Sequence, residues 1–165
     1  MPNPIITIMN SSNSTAVSEW HLGTLKSTVP SDILSINVWN NKGGAVDVSD
    51  LVDVVITTVN INGGNTDEEA VVNKWTYACV TATATAGSDG VKNFTQIGGD
   101  TGTPVAADGV SGDDLTNHVI KGTANDGTSA NSRNNFASIK LKVIPPVNAS
   151  AGSHRWRVKI QGYFS

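Results

Sequence analysis

Apolar and polar residues alternate one for one along the longer runs of this chain, and that pattern constrains its fold more than any other feature. A period of two sends successive side chains to opposite faces of an extended strand, whereas an amphipathic helix needs apolar residues three and four apart. The last residues, HRWRVKIQGYFS at 154–165, show it most plainly. Trp156, Val158, Ile160 and Phe164 share one face; Arg155, Arg157, Lys159 and Gln161 share the other.

The same rhythm marks further strands at 5–9, 33–40, 53–60, 71–83 and 136–144. In the second of these Leu34, Ile36 and Val38 fall on one face. In the fourth, Val71, Trp75, Tyr77 and Cys79 do so. In the fifth, Ile139, Leu141 and Val143 point inward and Lys140 and Lys142 outward. Turn chemistry separates the runs: Asn and Gly at 40–44 and 62–65, and Pro145-Pro146 after the fifth, since proline cannot donate to a ladder. Residues 66–70 read either as one helical turn, with Thr66 as cap and Glu69 three residues on, or as an acidic loop. No long helical period is present. The expectation is an all-β chain: an antiparallel two-sheet sandwich of immunoglobulin-like type, with 1–165 as one domain. The Cys–Trp–Cys signature of true immunoglobulin domains is absent, so that likeness rests on strand number and patterning.

Residues 84–135 break the rhythm. They are dominated by Gly, Asp, Thr, Ala, Ser and Asn, and only 91–97 and 117–121 look strand-like. A stretch of this length with little regular structure is uncommon inside a compact domain. It reads as a long loop insertion carrying one small hairpin, either reaching toward a neighbour or lying as a surface loop.

Only 15% of residues are charged, against about 25% in an average soluble domain. The single cysteine, Cys79, excludes an internal disulfide and reads as a small buried residue in a strand. The start, MPNPIITIMN, lacks the basic and apolar regions of a secretory leader, and no run approaches the ~18 apolar residues of a membrane span. These features point to synthesis in a reducing cytoplasm, with no membrane partner. The sequons at Asn10, Asn13, Asn93 and Asn148 then read as chance matches in an Asn-, Ser- and Thr-rich chain.

Charge is strongly segregated. All 14 acidic residues lie between Glu19 and Asp126, whereas residues 127–165 hold Arg133, Lys140, Lys142, Arg155, Arg157 and Lys159 and no acid. The carboxy-terminal segment is thus +6 in a chain of net charge −3. If the last two long strands form a hairpin, Lys140, Lys142, Arg155, Arg157 and Lys159 share one solvent face, and like charges across a ladder repel. Three sources of compensation are open. One is an acidic segment of the same chain, such as Asp47, Asp50 and Asp53 or Asp67, Glu68 and Glu69. The others are an acidic patch on another protein, and nucleic acid. The acidic total and the lack of an aromatic-and-basic module argue against nucleic acid. A cationic edge strand also discourages stray edge-to-edge pairing.

Chemistry-bearing motifs are not apparent. His21, His118 and His154 match no metal-ligand spacing, and no GxSxG, HExxH or phosphate-binding glycine loop occurs. Asp108-Gly109 and Asp113-Asp114 lie in a loop but lack EF-hand spacing. The expectation is a non-enzyme without metal or cofactor. Of the four tryptophans, Trp75 and Trp156 are in phase with apolar neighbours and read as core. Trp39 is out of phase and Trp20 sits in half-polar SEWHLG. Either is an interface anchor, a sugar platform or a residue buried by a loop of its own chain.

NVWNNKGG at 37–44, SDLVDVVITT at 49–58, NKW at 73–75 and FASIKLKVIPPVNASAG at 136–152 give the chain a further likeness. It resembles the small β-sandwich accessory proteins of tailed-bacteriophage virions; residues 84–132 carry none of the resemblance. The resemblance implies a virion structural protein made in the host cytoplasm. The first expectation is a homo-oligomeric capsid decoration (cement) protein that binds the major capsid protein and stabilises the head shell. Such a protein would dock through the 84–135 segment or residues 2–9, with the cationic face meeting acidic surface on a neighbour. The alternatives are a tail or baseplate component, or a host-surface glycan-binding domain using Trp20 or Trp39.

Overall fold

The computed structural model describes residues 1–86 and 92–165. Among them, alternation produces strands and the apolar faces close on one another. β1 (Ile6–Asn10), β2 (Leu34–Asn40), β7 (Phe136–Val143), β4 (Thr76–Val80) and β5 (Thr95–Ile97) form a five-stranded sheet in that spatial order. β6 (Thr103–Pro104), β3 (Leu51–Asn60) and β8 (Trp156–Phe164) form a three-stranded sheet. All the strand pairings are antiparallel.

The register fixes which residues meet. On the inner face of the larger sheet Ile36 lies opposite Ile139, Val38 opposite Ala137 and Ala78 opposite Leu141. Val54 and Ile56 of β3 face them, with the half-buried Val158 and Ile160 of β8. This core of β-branched and small side chains is what the period-two pattern predicts for a two-sheet sandwich. β3 carries a bulge between Val52 and Val55, with Asp53 at φ 51°. A bulge frees donors from the ladder, and here Asp53 N–H and Val54 N–H donate to the carbonyls of Asn117 and His118.

Three expectations are corrected. The run at 71–83 is not one strand: Glu69–Val72 form a helical turn, α1, capped by the Glu68 side chain. Lys74 then adopts φ 52° before β4 begins at Thr76. The turn resets the phase, so Ala78 and Val80 join the core instead of Tyr77 and Cys79. Cys79 is buried and free, as expected.

The segment 84–135 is irregular but is no appendage. Val105, Ala107 and Ile120 are fully enclosed in the core between the sheets. The run at 91–97 shortens to β5, its first residue Val91 lying outside the described residues. The run at 117–121 is not a strand: Ile120 makes a single bridge to Leu51, and a short helix, α2 (Asp113–Thr116), precedes it. Sequence alternation cannot reveal such burial, because the segment contributes isolated side chains rather than a periodic face.

Nor do the last two long strands form a hairpin. β7 belongs to the larger sheet and β8 to the smaller. Pro145 and Pro146 stop the ladder after Val143, and the chain crosses to the other layer before β8.

Burial of the irregular segment is testable. Ile120→Ala should cost about 2–5 kcal/mol, the range for emptying a fully buried aliphatic site. Urea denaturation followed by tryptophan fluorescence measures it. A loss below about 0.5 kcal/mol, the level of an ordinary surface substitution, would return the segment to the surface.

Candidate functional site

The cations expected on one strip occupy two surfaces. β7 turns Lys140 and Lys142 to the outer face of the larger sheet, because Ile139, Leu141 and Val143 fill the inner one. β8 turns Arg157 and Lys159 to the outer face of the smaller sheet, and exposed Arg155 precedes them. The two groups therefore lie on opposite sides of the core. This corrects the single face expected for Lys140, Lys142, Arg155, Arg157 and Lys159, and the physical reason is the crossover at the two prolines.

Neither group is neutralised from within. None of the five cations makes an ion pair among the described residues. Their cross-strand neighbours are uncharged: Ser35 and Cys79 flank Lys140, Tyr77 lies beside Lys142, Val59 beside Arg157 and Thr57 beside Lys159. Of the acids proposed as partners, Asp47, Asp50, Asp67 and Glu69 are occupied elsewhere. Asp50 meets Lys121 at 3.2 Å and accepts the Gly122 N–H. Asp47 accepts the Ala124 N–H, Asp67 accepts from Asn60, and Glu69 accepts the Ser150 N–H. Lys142 Nζ sits 4.4 Å from the Phe94 ring centroid and 5.9 Å from that of Tyr77. These rings hold it without cancelling its charge. Lys140 is exposed beside a polar shelf of Asn37, Asp108 and Ser138. Ser138 Oγ donates to Asp108 Oδ2 at 2.7 Å and lies 3.0 Å from Asn37 Oδ1, so the shelf is pre-ordered.

The tryptophans resolve differently from one another. Trp39 is on the face away from the main core, as its phase requires, yet it is fully buried. It stacks on Phe136 at 4.6 Å and packs with Met9, and its indole N–H donates to Asn13 Oδ1 at 2.7 Å. The loop after β1 thus covers it, which corrects its candidacy as an exposed anchor. Trp20 is half-buried and bridges the main core to the cluster around Trp75. Trp75 is buried, and Trp156 packs on it edge-on at 6.4 Å.

One group at the root of β8 was missed at the sequence level. His154 packs on Trp75 with ring centroids 4.7 Å apart. Its Nδ1 meets Glu68 Oε1 at 2.7 Å and its Nε2 meets the Ser150 carbonyl at 3.1 Å. Both ring nitrogens face acceptors, an arrangement that only the doubly protonated imidazolium fully satisfies. Burial pushes its pKa down, but the Glu68 and Ser150 hydrogen bonds and the charges of Glu68 and Glu69 outweigh it, and the net shift is upward. A spacing of 86 residues between Glu68 and His154 leaves no sequence signal for the pair.

The acidic loop residues have structural tasks. Asp108 accepts the Ser138 N–H and Oγ–H, and Asp113 and Asp114 begin α2. Asp126 accepts from Asn131 at 2.6 Å and from both donors of Thr128, which holds its carboxyl well below the usual range. A scan against protein-family models and searches of curated proteins and of solved structures each found no match to the chain.

The His154–Glu68 contact gives stability a pH dependence of definite sign. A histidine whose folded pKa exceeds its ordinary 6.5 stabilises the fold fully below that value and loses the contribution as pH rises through the folded one. The urea midpoint of the wild type should therefore fall as the pH is raised from about 6.5 through the higher folded value. In His154→Gln this component should vanish; an identical slope in the variant would sink the assignment.

Proposed function

We propose that the protein is a non-enzymatic structural subunit of a bacteriophage virion, a capsid decoration protein that docks on the head shell. The supporting sequence runs at 37–44, 49–58 and 136–152 overlap the end of β2, most of β3 and all of β7. The observation that carries the reading is Lys140 and Lys142, displayed on the flank of the larger sheet with no carboxylate partner in the described chain. Charges that find no internal compensation favour an acidic partner, and exposed charges of this kind govern association rate and salt response more than final affinity. The major capsid protein, presenting an acidic patch at each repeat of the shell, is the partner this reading assigns. The pre-ordered shelf of Asn37, Asp108 and Ser138 beside Lys140 adds hydrogen-bonding groups at little entropic cost.

A tail or baseplate location is the alternative that keeps the same surface. The glycan-platform alternative loses Trp39, which is enclosed by its own chain. Residues 2–9 are no free docking arm either, since Pro2 and Ile5 carbonyls accept the Ser49 and Asn41 N–H groups and β1 is paired with β2.

Co-sedimentation with empty capsids and, separately, with isolated tails tests the reading. Wild-type protein should pellet with capsids at low salt and less so at high salt. Lys140→Glu with Lys142→Glu should lower the binding by about ten-fold or more, as for loss of several charge contacts at an interface. Binding to tails alone, or capsid binding indifferent to both substitutions and to salt, would overturn it.

A further inference from the structure

β8 is the longest strand edge left open among the described residues. It pairs with β3 on one side only. The other long edge, β1, is partly closed by its own chain, because Ile8 and Asn10 bond to Val17 and Thr15. No backbone group of Trp156–Phe164 is bonded to anything except β3 among the described residues. Apart from its cations, β8 lacks the usual protections of an edge: it has nine residues, no proline and no covering loop bonded to it. At its end Tyr163 and Phe164 are 72% and 63% exposed.

The direction of the open groups follows from β3. Val54 turns its N–H and C=O away from β8, to His118 and Val105. Alternate residues Val55, Thr57 and Val59 therefore face β8, and so do the peptide groups of their partners Gln161, Lys159 and Arg157. Trp156, Val158 and Ile160 are left with N–H and C=O pointing to the open edge.

We propose that a second copy of this chain occupies that edge, β8 against β8 in antiparallel fashion about a two-fold axis at Ile160, joining the two small sheets into one of six strands. In this register Ile160 meets its own copy, and Trp156 lies opposite Phe164. Arg157 lies opposite Tyr163 and Lys159 opposite Gln161. Every cation faces a neutral residue, Arg157 finds an aromatic ring, and both exposed aromatics gain a neighbour. The adjacent registers are worse. Centring on Val158 sets Arg157 against Lys159, a like-charge pair. Centring on Lys159 sets that lysine against its own copy, and centring on Gln161 or Gly162 carries Trp156 and Arg157 past the end of the partner's β8 at Phe164, so the Trp156–Phe164 and Arg157–Tyr163 pairs are lost. The cationic face of β8 thus repels the registers shifted to one side, and loss of the aromatic pairs disfavours those shifted to the other, which gives it a use distinct from that of Lys140 and Lys142. A two-fold contact is also closed, so it yields a dimer rather than a filament.

The dimer does not rest on the shell-docking reading, and its measurements are independent of it. Light scattering after size exclusion should give twice the chain mass of 17.2 kDa at micromolar concentration, unchanged by Lys140→Glu with Lys142→Glu. Tyr163→Lys sets a cation against Arg157 twice per dimer and should weaken association about ten-fold in sedimentation equilibrium, while Tyr163→Glu should strengthen it. Register is read by disulfide formation. Lys159→Cys mixed with Gln161→Cys should cross-link as a heterodimer faster than either variant alone, Cys79 being buried. A monomer at all concentrations, a dimer indifferent to both Tyr163 substitutions, or no preferential cross-link would each overturn the proposal.

Discussion

Buried asparagine amides hold the rest of this structure in place. A segment without regular structure can enter a core only if its peptide groups find partners, since each one left bare costs about 1–3 kcal/mol. Asn40, fully buried, donates to the Ser49 and Ile120 carbonyls and accepts the Ile5 N–H. Asn41 donates to the carbonyls of Val46 and Gly122, and Asn135 to those of Lys121 and Thr123. Together they tie the end of β2 and the start of β7 to the segment at 120–123. That segment then carries Ile120 into the core. Close approach follows: a Cβ on Gly122 would collide with the Val48 carbonyl, so glycine is required there for space rather than for conformation.

The same economy explains the charge distribution. Asp47, Asp50 and Asp126 spend their carboxylates on donors of the irregular segment, and Asp108 of that segment accepts from Ser138 of β7. Glu68 and Glu69 hold His154 and Ser150 at the root of β8. The acids that give the chain its negative balance are thus largely internal ties. The cations of β7 and β8, set beside neutral neighbours, remain available. A protein of net charge −3 can in this way show two groups of unpaired cations, one on each outer face of the sandwich.

The two surfaces suit different tasks. Around Lys140 and Lys142 the sheet is continued by β4 and β2, so backbone pairing is complete and only side chains are offered. The partner proposed there would be recognised by charge and by the ordered shelf. On β8 the peptide groups themselves are open, and cations act mainly to forbid wrong pairings. On the two proposals, the first surface would accept an unlike partner and the second an identical one.

Alternation by itself marked most of the longer strands, the antiparallel sandwich class, and the inward faces of β2, β7 and β8, because a period of two sends one face of a strand out of water. It also marked which residues carry charge outward. It misplaced the phase of β4, where one helical turn and the left-handed Lys74 intervene. The burial of Trp39 was open at that level, since what covers it comes from a loop with no period. Only the tertiary structure decided that β7 and β8 belong to different layers, that Val105, Ala107 and Ile120 of the irregular segment enter the core, and that His154 meets Glu68. Each of those depends on contacts between residues far apart in the chain, and such contacts leave no local pattern to read.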